Sequence, residues 1–358
     1  MGEPEPKKHK PDVTSIREGM LFGMGNPLLD ISATLEEKDG LLEEYGLKPN
    51  DAILAEDKHV PMYKKIVEKY DVEYIPGGAT QNSIKVAQWL LGVKNATLYM
   101  GSIGDDEFGK ILADKTQELG VNTRYQINKT HATGTCAVLI NGSNRSLCAN
   151  LAAANHFTKD HLDDEKNQAL LESALYYYIA GFFLTVSPET IMEVGKHACE
   201  KNKHFMMNLS APFLCEFFKE PQMQAMPYVD TLFGNETEFL KFSEQQKFNT
   251  EDLKEIALKV AALPKKNDKR SRMVVITQGD KATIVAKDGE VKEFPVIKLA
   301  PEDIVDTNGA GDAFVGGFLA QLVQEKDLET CVKCGHYAAN LIIQNNGCTM
   351  PGKPNFKC

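Results

Sequence analysis

Asp306-Thr307-Asn308-Gly309-Ala310-Gly311-Asp312-Ala313-Phe314 is the stretch on which the reading of this chain turns. After it, Phe314, Val315, Phe318, Leu319, Leu322 and Val323 recur at helical spacing. The spacing predicts a helix over 313–325, with Gly309, Ala310 and Gly311 at its N-terminus. Unpaired backbone N–H groups and the positive end of the helix dipole make such a place an anion site. Small residues let a phosphate approach the backbone closely. Asp312 falls in the first turn, beside that anion. A carboxylate there would repel the anion if its role were only structural. It makes sense as a base that takes the proton from an attacking hydroxyl. The plainer alternative is an acidic cap worth about 0.3–1 kcal/mol to the helix. The two glycines in the preceding turn weigh against it.

Working outward, apolar strand-like runs alternate with helical patterns. Strands are expected at 20–24, 96–100, 174–180, 205–209, 228–233 and 273–277, and hairpin strands within 283–296. Helices are expected from about 84 to 91, and at 110–119, 188–201, 213–220, 236–244, 251–263 and 328–344. Gly101, Gly104 and Gly109 read as breaks after the 96–100 strand. Alternation of this kind implies a mostly parallel, doubly wound α/β sheet covered on both faces. Residues 31–76 and 132–150 break the rhythm with short strands and polar turns, and read as two insertions forming a small lid. Residues 1–19 read as a disordered polar tail.

The 358 residues exceed one typical domain, and 42% hydrophobic with 25% charged residues is the balance of a soluble globule. Forty Lys plus Arg against 50 Asp plus Glu leave a net charge of -10, which disfavours nucleic acid and anionic membrane as partners. No apolar run approaches the ~20 residues of a membrane span. The polar start does not resemble a signal peptide, and Pro6 makes myristoylation at Gly2 unexpected. Lys7, Lys8, His9 and Lys10 form a short basic cluster that reads as solvated tail or nuclear-import signal, so the expected compartment is cytoplasmic, with a nuclear pool open. Of the eight cysteines only Cys331 and Cys334 form a C-x-x-C pair, inside a helical stretch, so reduced thiols are expected.

Three further constellations could carry chemistry. In Gly23-Met24-Gly25-Asn26-Pro27-Leu28-Leu29-Asp30, Leu28 replaces the third glycine of a dinucleotide fingerprint. Asp30 could instead accept hydrogen bonds from two neighbouring sugar hydroxyls, or simply sit in a turn. Gly77-Gly78-Ala79-Thr80-Gln81-Asn82 is a loop entering a helix, where a ligand could touch backbone and Asn82 could face it, although taken alone it reads more readily as a turn with a polar residue at a helix N-terminus. Asn235-Glu236-Thr237-Glu238 follows a strand end, where α/β sheets bind ligands. Asn235 and Glu238 could hold magnesium through waters, or could merely begin a helix. Gly104 to Lys110 has the spacing of a P-loop. However, Ile111 lacks the required hydroxyl, and Asp105, Asp106 and Glu107 would repel phosphates, so a P-loop is rejected.

The order of these motifs resembles the ribokinase-like sugar-kinase superfamily. Gly181-Phe182-Phe183-Leu184-Thr185-Val186-Ser187-Pro188 and Asn208-Leu209-Ser210-Ala211-Pro212 are similar to its adenosine kinase branch. The resemblance covers about residues 20–352. It implies a ribokinase-like α/β fold with a small lid, ATP as phosphate donor with Mg2+, and adenosine as acceptor; a monomer is expected because nothing in the sequence pattern demands a partner chain. By resemblance, Asp312 is the base, and Gly309, Ala310 and Gly311 form the anion hole. Arg145 is a lid arginine that swings toward the phosphates. Asn26, Asp30, Gly77, Gly78 and Asn82 lie on the nucleoside side. Phe182 packs on the adenine, with Leu54, Leu147 and Ala149 as lid lining. Asn235, Thr277, Gly279, Asn308 and His336 fall on the ATP side, although a helical histidine such as His336 is more often simply satisfied. Asn235 and Glu238 match the magnesium-associated motif. Ala79 and Ala52 depart from the residues often found there, Ser and Gln. A kinase of another nucleoside or sugar, and a nucleoside-binding protein without catalysis, remain the alternatives.

Overall fold

The computed structural model describes residues 15–36, 40–49, 52–142 and 144–357. The basic cluster Lys7–Lys10 lies outside them. The strands, in chain order, are β1 (Leu21–Met24), β2 (Leu28–Thr34), β3 (Ala52–Leu54), β4 (Val72–Gly77), β5 (Thr97–Gly104), β6 (Asn122–Asn128), β7 (Thr135–Asn141), β8 (Asn144–Asn150), β9 (Tyr176–Ala180), β10 (His204–Asn208), β11 (Thr231–Asn235), β12 (Met273–Gln278), β13 (Lys281–Lys287) and β14 (Glu290–Phe294). They form two sheets.

The large sheet has nine strands in the order β14-β13-β12-β11-β10-β9-β1-β5-β6. It is parallel from β12 to β6, and the β12–β13–β14 meander is antiparallel. β5, β9 and β10 are apolar and almost wholly buried, as strands covered on both faces must be. One face packs under Phe183, Ile191, Val194, Phe239, Phe242 and Val260. The other packs under Ile84, Phe314, Val315, Phe318 and Leu319. Chain order reverses between β1 and β9. A crevice opens there beyond the carboxyl ends of the strands, which is where open α/β sheets bind ligands.

The second sheet has five strands in the order β3-β8-β7-β2-β4 and its own core of Ile31, Leu41, Met62, Ile66, Ala137 and Leu139. It is built from 28–77 and 135–150, and it stands over the crevice. The polar stretch 31–76 also contains a helix, Val60–Lys69, whose Met62, Tyr63 and Ile66 seal one face of this sheet.

Several sequence expectations shift. β5 runs through Gly101 to Gly104, and Gly109 lies inside the helix Glu107–Glu118. These glycines do not break the chain; they relieve crowding. A Cβ on Gly101 would stand 2.6 Å from Gly25 O, and one on Gly109 2.4 Å from Gly104 O. The strand expected from Tyr228 starts at Thr231, because Met226–Tyr228 is a 3-10 turn opening with Pro227 near its start. The tail read as 1–19 is anchored before its end: Arg17 donates to Ser173 O at 2.5 Å and Gly19 N to Asn95 O at 2.7 Å. A helix at Glu165–Ser173 had no counterpart in the sequence reading. Cys331 and Cys334 are buried on one helix face, and every cysteine from Cys136 to Cys348 is free.

Candidate active site

The helix Ala310–Leu322 begins one residue after Gly309, whose φ of 78° is left-handed and suits glycine. No side chain caps it, so its first N–H groups face the crevice at the end of the large sheet. Nothing stands within 4 Å of where a Cβ on Gly311 would be, so there is open room above these amides.

This helix packs against the helix Ala79–Leu91. The contact is close because Gly316 carries no side chain: a Cβ there would lie 2.6 Å from Ser83 O. Glycine inside a helix costs about 1 kcal/mol relative to alanine, which the close packing offsets. The approach brings Asn82 to Asp312, and Asn82 Nδ2 donates to Asp312 Oδ2 at 3.0 Å. Asp312 is half-buried and lines the pocket in the crevice. Burial pushes its carboxyl up to about 7, against the lowering effects of the Asn82 bond and the Lys85 charge. A carboxylate poised there suits a general base near neutral pH.

Asp30 lies on β2 at the seam between the sheets. Its carboxylate fills the space where Gly77 has no side chain, 2.5 Å from the position of an added Cβ. Burial raises it too, to about 7, with Lys85 opposing and Asp312 and Asp306 adding to the rise. Gly78 has φ 96°, and a Cβ on it would strike Asn26 O at 2.1 Å. Asn26 itself donates to Ala154 O at 3.1 Å and leaves its buried Oδ1 without a protein partner. These residues, from β1–β2, β4 and the Ala79 helix, form one wall.

The crevice continues as a pocket of about 150 Å3 lined by Phe182, Asn208, Glu238, Thr277, Gly311 and Asp312, among others. Phe182 sits half-exposed on the turn after β9, its ring 6.3 Å from that of Phe213. Glu238 and Asn235 make a reciprocal capping box: Glu238 N donates to Asn235 Oδ1, and Asn235 N and Nδ2 donate to the two Glu238 oxygens, all at 2.9 Å. Burial lifts Glu238 to about 7, with the Asn235 backbone bond lowering and the Asp312 charge adding to the rise.

The profile of the pfkB family carbohydrate kinases matches residues 40–355. The chain belongs to that family. Among relatives of this pfkB-family kinase, Adenosine kinase 2 of Arabidopsis thaliana is 56% identical over 343 residues, covering 96% of this chain and 99% of its own. Adenosine kinase of Dictyostelium discoideum is 47% identical over 91% of this chain and 95% of its own. Among solved structures, Anopheles gambiae adenosine kinase in complex with P1,P4-di(adenosine-5) tetraphosphate superposes with a TM-score of 0.86 at 53% identity, covering 95% of this chain and all of the other.

The remaining predicted residues of the pfkB-family kinase fall in different places. Arg145, on β8, reaches from the small sheet to the loops flanking the last two helices: Nη1 lies 3.5 Å from Asp306 Oδ2, and Nη2 donates to Asn346 Oδ1 at 2.5 Å. Asn308 is turned back on its own loop, with N and Nδ2 both 2.9 Å from Asp306 Oδ1. Gly279 makes the left-handed turn between β12 and β13. His336 lies a layer below the pocket, its Nε2 2.8 Å from Thr283 Oγ1 and its ring against Phe314. Burial lowers it to about 4, so it is neutral at physiological pH. Leu54 stands exposed at the edge of the small sheet, and Leu147 and Ala149 pair across β3 and β8 with Ala52 and Leu54. In the rejected P-loop, Asp106 accepts from Gly109 N, Thr133 N and Thr133 Oγ1, so its acid is committed to the local fold.

Sequence reading missed three parts of this site. Asn208, Ser210 and Gly234 line the pocket; Ser210 has φ 66°, and its Oγ accepts from Gly181 N at 2.8 Å. Asp306 is a buried hub rather than a mere flank of the glycine motif. Lys85 is a buried lysine near the Asp30 and Asp312 carboxyls, its ammonium lowered by burial against the opposing effects of Cys348, Asp30 and Asp312. Only the family runs containing Asn208 and Ser210 carried a signal.

Proposed function

We propose that the chain transfers the γ-phosphoryl group of ATP to the 5′-hydroxyl of adenosine, giving AMP and ADP, a step of purine salvage. The observation that carries this reading is the Asp312 carboxylate. It sits at an uncapped helix N-terminus, bonded by Asn82 and poised near pH 7, in the same pocket as Phe182. Asp30 and Asn82 hold the ribose. The face of Phe182 packs on the base, which a bare sugar could not use.

Asp312 accepts the 5′-hydroxyl proton as that oxygen attacks the γ-phosphorus in line and the bond to the ADP oxygen breaks. The N–H groups of Gly309, Ala310 and Gly311 stabilise charge on the transferring group. Arg145, delivered by the small sheet, adds positive charge from above. Thr277, Gly279 and Asn308 border the ATP side, and His336 supports it through Phe314. The small sheet, with Leu54, Leu147 and Ala149, covers the nucleoside and excludes water.

Among the described residues no group of three or more His, Cys, Asp or Glu could hold a metal directly. The fit is to a hydrated ion: Glu238 faces the pocket with its oxygens already accepting from Asn235, so contact through water suits it. What a bound Mg2+ supplies is neutralisation of the phosphate oxygens. The described helices include none long and apolar enough to cross a membrane. We take the working form to be a monomer, without nucleic acid or membrane partner, in the cytoplasm.

The test is ATP-dependent phosphorylation of adenosine, with ribose, inosine, guanosine and deoxyadenosine in parallel and Asp312→Asn as control. Preference for adenosine with an inactive variant is expected. A preference for ribose would leave Asp312 in place and overturn the role of Phe182. Near-normal turnover by the variant would remove the base.

A further inference from the structure

Lys85 lies on the Ala79–Leu91 helix, one turn after Asn82, and is 1% exposed. Among the described residues, no carboxylate oxygen lies within ion-pair distance of its ammonium. Nζ donates instead to two backbone carbonyls, Pro76 O and, at 3.3 Å, Cys348 O. Both carbonyls belong to segments that shape the site. Pro76 immediately precedes Gly77 and Gly78, and the Gly77 backbone is the surface against which the Asp30 carboxylate rests. Cys348 packs under the anion hole, its Cβ 3.4 Å from where a Cβ on Gly309 would be. A buried ammonium left with neutral acceptors is costly unless other charges balance it. Burial lowers the Lys85 ammonium, and the carboxylates that oppose this are Asp30 on β2 and Asp312 on the facing helix, with Asp306 and Glu238 beyond them; the Cys348 thiol beside it is pushed up to about 12 by burial and is neutral.

We propose that Lys85 is a positioning residue of the phosphoryl-transfer site: a buried cation that ties the Gly77–Gly78 loop to the loop under Gly309 and, through its charge, favours the ionised forms of Asp30 and Asp312. Two carboxylates sharing one desolvated wall would otherwise compete for a proton. Burial raises both carboxyls, and the Lys85 charge opposes that rise at each of them. The inference rests on the kinase reading above, since it assigns Lys85 through Asp30 and Asp312.

Lys85→Met removes the charge and keeps most of the apolar stem. Loss of the cation raises both acids, so the acid limb of the kcat/KM profile for adenosine moves to higher pH. At pH 6 the variant loses about tenfold more activity, relative to wild type, than it does at pH 8.5, an effect of the size expected for one nearby charge. A uniform loss at all pH values would mean that Lys85 only braces the loops, and would overturn the charge role. Stability gives an independent reading that needs no activity. If charge balance is the function, Lys85→Met lowers the melting temperature at pH 8, and adding Asp30→Asn restores part of it. If Lys85→Met yields no folded protein, recovery of folded protein in the double variant supports the proposal, and failure to recover it overturns it. Wild-type turnover of adenosine with an unshifted Lys85→Met profile would sink this inference and leave the kinase assignment standing. Absence of wild-type turnover would sink the assignment itself.

Discussion

The amide of Asn82 and the carboxylate of Asp312, 230 residues apart in the chain, meet through one hydrogen bond of 3.0 Å across the contact between two helices. That bond both aims the carboxylate and favours its charged form. A hydrogen bond to an ionised group contributes about 1.5–3 kcal/mol.

Asn82→Leu, which preserves volume and removes the donor, is therefore expected to reduce turnover by roughly 10- to 100-fold. Its sign with pH is fixed as well. Asn82 lowers Asp312, so its loss raises the base and shifts the acid limb of the rate profile to higher pH. Steady-state kinetics between pH 5.5 and 9 measure both effects. An unchanged acid limb would show that the base is another group.

Asp312 also carries a cost in stability. Its ordinary value of 3.8 is raised to about 7 in the fold. Between those values the unfolded chain has released its proton while the folded chain retains it, so stability falls as pH rises from about 4 to 7. Asp312→Asn is expected to melt at a higher temperature than wild type at pH 8, with the gain shrinking toward pH 5. Calorimetry at the two pH values measures it. A variant less stable than wild type at pH 8 would contradict the buried-carboxylate reading. Stability gained as activity is lost is the usual trade at a strained site.

The glycine-rich stretch from Asp306 makes the helix, its anion site and the neighbouring acid legible in the sequence, because spacing alone places small residues and Asp312 on the first turn. Strand and helix alternation carried the parallel sheet for the same reason: apolar runs in β9, β10 and β12 need two covered faces. Long-range contacts were not legible. Nothing local in Asn82 or Lys85 says which helix they meet; that depends on Gly316 allowing two helices to touch. Gly101 and Gly109 misled because the same residue that breaks a chain also fills a tight contact. The helix at Val60–Lys69 was hidden by a polar exposed face, and Arg145 could not be paired with Asp306 without knowing that the small sheet stands above the large one.

Arg145 and Asp306 join the small sheet to the loop before the helix Ala310–Leu322. Both side chains are largely buried, and the guanidinium uses separate nitrogens for Asp306 and for Asn346. Arg145→Lys keeps a charge but not the fork, and a lysine cannot span both acceptors. Arg145→Ala and Arg145→Lys are both expected to lower kcat, with alanine the worse, while adenosine affinity measured by calorimetry changes less than tenfold. If lysine restores full turnover, point charge alone suffices and the two-acceptor geometry is irrelevant.

Two glycines of the site separate folding from chemistry. Gly78 is left-handed, with φ 96°, and a Cβ there would strike Asn26 O at 2.1 Å. Backbone cannot yield that distance cheaply, and the left-handed conformation adds roughly 1–2 kcal/mol for any other residue. Gly311 has no such constraint among the described residues, since a Cβ there meets nothing of them within 4 Å. It would project into the open room above the helix N-terminus, where the transferring phosphoryl group must come close to the amides. Gly78→Ala should therefore lower both the melting temperature and the activity. Gly311→Ala should melt within a degree or two of wild type and still lose turnover by about 100-fold, the scale of one lost oxyanion-type contact. Thermal melts and initial rates on the two purified variants read both quantities. If Gly311→Ala retains full activity, the phosphate does not pass over this helix end, and the anion hole must be sought elsewhere in the crevice.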